Sequence, residues 1–149
     1  MQSEKIDVLD KKAKQHHKSI HFPDGLPAFE SAKEFVIISN EEEAPFLWLQ
    51  AVSTPNLAFV TIDPFLVYPK YRPDIGDDDV KALQIENEED VLILGIVNIS
   101  SDPEEGITAN LVGPVVINWR KRLGKQVILQ NHQKYSVRYR IDNLEEVEA

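Results

Sequence analysis

The chain has 149 residues, no cysteine and a formal net charge of −9. That length suits one domain, which buries roughly 70% of its unfolded surface and needs no covalent staple. The missing thiols exclude disulfides and cysteine-based zinc sites and point to a reducing compartment. The first thirteen residues lack the apolar core of a secretory signal. The longest apolar stretch, 91–99, is broken by Gly95 and Asn98 and falls far short of the ~20 residues of a membrane helix. A cytoplasmic protein is the expectation.

Residues 11–18 carry four lysines and two histidines with no apolar pattern. Residues 1–19 are therefore expected to form a partly flexible segment. Strand signals then recur, separated by turn residues. Residues 35–38 are aromatic and β-branched. Residues 46–52 (FLWLQAV) and 58–63 (AFVTID) flank a polar turn. Asp63-Pro64 reads as a stop, with the Asp63 side chain bonding nearby backbone amides. The run 91–99 is nearly all apolar, so both of its faces should be covered.

Gly113-Pro114 is a break that marks a bulge or a strand start, after which Val115, Ile117 and Trp119 share a face. Gly124 sits between two strand-like runs, as a hairpin turn requires. Residues 135–140 alternate, which would point Tyr135, Val137 and Tyr139 inward and Ser136, Arg138 and Arg140 outward. A helix is expected over 77–84, opening on acids suited to a helix N-terminus, and a short turn over 31–34. Many short strands with little helix make the chain mainly β. We expect a small closed or partly open antiparallel β-barrel with one or two short helices. The domain is expected over 20–141, with an acidic tail over 142–149.

Charge is segregated along the chain. Residues 74–105 hold eleven acids and one base, and residues 119–140 hold seven bases and no acid. The overall sign disfavours nucleic acid and favours a basic protein partner. The basic stretch (Arg120, Lys121, Arg122, Lys134, Arg138 and Arg140) keeps an RNA-binding barrel as the alternative. Asp77, Asp78, Asp79, Glu86, Glu88 and Glu89 form either a partner-steering field or a solvated acidic face. Consecutive acids without a central glycine do not make a calcium loop. Phe65, Tyr68 and Tyr71, stiffened by Pro64, Pro69 and Pro73, either anchor an interface or fold back as a lid. His16-His17 reads as a solvated pair rather than a metal site. No glycine-rich phosphate loop or nucleophile elbow is present.

Several segments together resemble the FliW family of bacterial flagellar assembly factors. They are FPDGLPAFE (22–30), PFLWLQAV (45–52), NLAFVTIDPF (56–65), VLILGIV (91–97), TANLVGPVVIN (108–118), GKQVIL (124–129) and YSVR (135–138). The resemblance implies a barrel-like fold with no catalytic activity and no cofactor. It implies binding to flagellin, and to CsrA, a small dimeric RNA-binding regulator that represses flagellin translation. Ala28 stands where the family usually carries glycine. Residues 11–19 do not match the family's N-terminal strand and turn, which leaves a first strand at 5–9 or a displaced one.

Overall fold

Alternating apolar residues give each strand one face to bury, and consecutive runs satisfy that need by pairing across short turns. The computed structural model describes residues 2–16 and 18–141. Among them nine strands form: β1 (Ile20–His21), β2 (Glu34–Ser39), β3 (Leu47–Ala51), β4 (Ala58–Ile62), β5 (Val91–Ile99), β6 (Ile107–Ala109), β7 (Val115–Asn118), β8 (Leu123–Gln126) and β9 (Tyr139–Arg140). The order β4-β3-β2-β1-β8-β7-β5 closes on itself through β4–β5. Seven strands thus make a ring, and the mainly β, barrel-like expectation holds. β6 pairs the far half of β5, and β9 pairs β6. One seam departs from antiparallel pairing: β1 runs parallel to β8, joined at His21↔Leu123.

Two apolar clusters hold this frame, one on each face of β5. Leu92 and Leu94 pack with Phe22, Phe35, Ile37, Leu49, Val115 and Ile117. Ile93 and Val97 pack with Ile62, Tyr71, Leu83, Val116 and Leu129. The near-continuous apolar run 91–99 is the sequence trace of that double coverage. Val115 and Ile117 share a cluster with Trp119 packed against it, as their alternation predicts.

The N-terminal segment departs from expectation. Residues proposed as a strand at 5–9 lie inside a helix, α1 (Gln2–His16). Ile6 and Leu9, three apart, bury on one helix face against the first cluster. On the same face Gln2 donates to the Ile93 carbonyl at 2.8 Å and accepts from the Ile93 amide at 2.6 Å. Lys5 donates to the Val91 carbonyl at 2.8 Å. The side-chain amide of Gln2 therefore does for β5 what a neighbouring strand would do. It is needed there because β4 reaches β5 only at Thr61↔Ile96 and Ile62↔Gly95 before turning away at Asp63.

Two further helices are short: α2 (Pro64–Val67) and α3 (Asp77–Ala82). Asp63 caps α2 by accepting from the Phe65 amide at 2.9 Å, which is the turn role expected of it. Gly124 is not a turn residue. It lies within β8, and a Cβ there would stand 2.4 Å from the Phe22 ring. The hairpin instead turns at 119–122, with Arg122 at φ 53°. The alternation of 135–140 is also only partly kept. Tyr135 and Tyr139 pack on the core, but Val137 is exposed, because a 3-10 turn at His132–Lys134 leads into an irregular segment and the strand begins only at Tyr139. The acidic tail at 142–149 and His17 of the histidine pair lie outside the described residues.

Candidate functional site

The acidic segment is held at the edge of the ring by polar groups of β7 and the turn after it. The buried Asn118 donates through Nδ2 to the carbonyls of Leu83 (2.9 Å) and Gln84 (3.0 Å), tying the end of α3 to β7. The Trp119 indole donates to the Glu89 carbonyl at 2.7 Å. Asp90, itself buried, accepts from the backbone amides of Glu86 (3.1 Å) and Asn87 (3.0 Å) and organises the turn that carries Glu88 and Glu89. Those two backbone hydrogen bonds, with Arg120 and Lys121 nearby, hold the Asp90 carboxyl below its ordinary value against the opposing effect of desolvation. In the sequence Asn118 and Trp119 merely follow an apolar run and Asp90 merely ends an acidic one.

The two charged segments, separate in sequence, are neighbours in space. Lys125 meets Asp79 at 2.6 Å, Arg120 meets Asp90 at 3.4 Å and Glu89 at 3.9 Å, and Lys121 meets Glu86 at 3.8 Å. The Asp79 hydrogen bond raises the Lys125 ammonium above its ordinary value, with desolvation opposing. Arg120, Lys121 and Lys125 are thus spent on the molecule's own carboxylates. Asp77, Asp78 and Glu88 make no ion pair among the described residues and face solvent. The field that can act on a partner is narrower than the six candidate acids suggest.

The candidate aromatics divide by burial. Tyr71 is fully enclosed, and its hydroxyl donates to the Leu111 carbonyl at 2.7 Å. Burial, with Tyr135 alongside, pushes that hydroxyl well above its ordinary pKa. Its ring meets Tyr135 at 4.8 Å and Phe65 at 5.6 Å, while the half-buried Tyr68 meets Tyr139 at 5.3 Å. The loop folds back as a lid, and Tyr71 serves as its pin instead of a surface anchor. Phe65, the edge of Tyr71 and Glu88 nonetheless line one groove of ≈480 Å³ with Lys5, Arg72 and the β5 residues Val91 and Ile93. An exposed carboxylate therefore stands beside an aromatic surface. Among the described residues no group of three or more His, Asp or Glu converges on a metal-sized site, and no helix is long and apolar enough to cross a membrane.

Comparison with known proteins matches residues 3–141 to the family described as FliW protein. This chain belongs to the FliW family. A flagellar assembly factor FliW of Geobacillus kaustophilus is 45% identical over 127 residues, 85% of this chain and 86% of the relative. One from Moorella thermoacetica is 42% identical over 122 residues, 82% of this chain and 77% of the relative. A crystal structure of the flagellar assembly factor FliW superimposes with a TM-score of 0.76 at 43% identity, covering 85% of this chain and 86% of that one. The FliW resemblance read from the motifs is thereby shown, and with it a place among flagellar assembly factors.

Proposed function

We propose that this FliW family member acts in the cytoplasm by binding and not by catalysis. It withdraws the translational regulator CsrA from message and binds flagellin in a chaperone-like way, so that free flagellin frees CsrA. Family membership supports the flagellar setting. The observation that carries the CsrA half is the set of exposed carboxylates at Asp77, Asp78 and Glu88, of which Glu88 lines the Phe65 groove. A regulator that grips RNA must present a basic surface. A fixed acidic edge attracts that surface and opposes an incoming phosphate chain by like-charge repulsion. If RNA and this protein use separate sites on CsrA, linkage makes their antagonism reciprocal.

Flagellin assembles through amphipathic terminal helices, and an apolar groove on this protein is the element that would receive one. Direct RNA binding is the weaker reading. Arg120, Lys121 and Lys125 are already paired with carboxylates, and Tyr135 and Tyr139 pack inward instead of offering a stacking platform. A shift assay with RNA alone is expected to give no complex.

The test is charge reversal at the free carboxylates. Asp77→Lys with Asp78→Lys should slow association with CsrA by about tenfold at low salt and flatten the dependence of the rate on ionic strength. Unchanged rates at low salt would remove the acidic edge from the account.

A further inference from the structure

A second groove, of ≈590 Å³, runs between the first turns of α1 and α2. Its apolar surface comes from Ile6, Phe46, Phe65 and Leu66, and Leu66 is 39% exposed at its mouth. Among the described residues the charged side chains lining it are Asp7 and Asp63, both acids, with no lysine or arginine. The chain crossing its rim between Ser39 and Ala44 adds the exposed Glu41–Glu43 turn. Burial raises the Asp63 carboxyl, opposed by the Phe65 amide and by Gln2, so this acid is tied to both helices that form the walls.

An apolar trough whose lining side chains, among the described residues, carry carboxylates and no lysine or arginine selects its occupant by charge. An acidic or anionic-lipid surface would meet only repulsion there, and a second copy would bring the same carboxylates face to face. We propose that this groove docks an amphipathic segment of a partner protein, with an apolar face set between lysine or arginine side chains. Apolar contact with Phe46, Phe65 and Leu66 supplies affinity, and Asp7 with the Glu41–Glu43 turn supplies selectivity. α1 is pinned by Gln2 and Lys5 to β5 and by two buried apolar residues, so the groove's width follows the seating of one helix. The inference rests on the reading that the protein works by binding. Its test uses neither CsrA nor flagellin, so the two fail separately.

Fluorescence anisotropy with a labelled amphipathic peptide of leucine and lysine, and with a twin carrying glutamate for lysine, tests it on the full chain. The lysine peptide is expected to bind and the glutamate twin to bind at least about a hundredfold more weakly. Leu66→Arg should weaken the lysine peptide by about tenfold or more. Glu104→Gln makes the same change in net charge in the exposed β5–β6 loop and should alter binding by no more than about twofold. Amide shifts on titrating the wild-type protein should centre on Phe46, Phe65 and Leu66, a readout that needs no variant to fold. Absent binding, equal loss in the two variants, or shifts centred elsewhere would overturn the proposal.

Discussion

Ala28 holds a backbone conformation that L-residues avoid. Its φ is 71°, in the left-handed region, and the preceding turn residue Gly25 sits at 64°. The FPDGLPAFE turn keeps the geometry that glycine suits even though alanine occupies the position. A residue with a Cβ pays about 1–2 kcal/mol there, offset partly by the entropy glycine loses on folding. Ala28→Gly should therefore stabilise the fold by about 0.5–1 kcal/mol, read as a rise in the denaturant midpoint at unchanged slope. Asp90 offers a test by pH. Its folded pKa lies below the ordinary 3.8, so its contribution is present above that value and is lost as pH falls through the folded pKa. Asp90→Asn should cost stability at pH 7, and the gap from wild type should close as the solution is taken well below pH 3.8. Denaturant unfolding of both proteins at the two pH values checks it. At this scale the sequence was readable where a residue acts locally: Asp63 before Pro64 is a cap that its neighbours announce. It was unreadable where the partner is distant. A lone glycine at 124 fits a turn or a close approach equally well, and the deciding ring, Phe22, lies at the other end of the chain.

The longer strands β2 to β5 were legible because each carries its own period, and β5 matched the apolar run over its whole length, whereas β1 and β6, two and three residues long, carry no period to read. α1 was not, although its signals exist. No glycine or proline precedes Pro23, and Ile6 and Leu9 fall at helical spacing. The lysine-rich second half masks a stripe only two residues long, and the polar residues that fix the helix, Gln2 and Lys5, look like any surface side chain. Their role follows only from the gap that β4 leaves along β5. An element-scale prediction follows from strand alternation. The Ile93 amide faces α1, so those of Leu92 and Leu94 face β7. Gln2→Ala removes a bond worth about 1 kcal/mol, and the Ile93 amide should exchange about five- to tenfold faster while Leu92 and Leu94 hold their rates. Uniform acceleration across β5 would mean that the helix is part of the global core and not a separate clasp.

Over the whole molecule, the net charge of −9 hides an internal neutralisation. Linear counting gave the acidic segment −10 and the basic segment +7, and folding lays part of one on the other through Arg120, Lys121 and Lys125. What faces outward includes a short acidic edge at Asp77, Asp78 and Glu88, an aromatic lid whose hub is Tyr71, and two grooves that share Gln2 and Phe65. The sequence showed that charge was segregated, because composition along the chain is enough for that. It could not show which charges cancel, because that depends on how the turn at 119–122 returns β8 beside α3. The result is a closed seven-strand ring that carries its free charge and its grooves on the surface. The most direct measurement is size-exclusion chromatography of the purified chain with CsrA, followed by addition of flagellin. The account predicts a complex with CsrA that flagellin dissolves, with this protein then eluting alongside flagellin. Separate elution from both would contradict it.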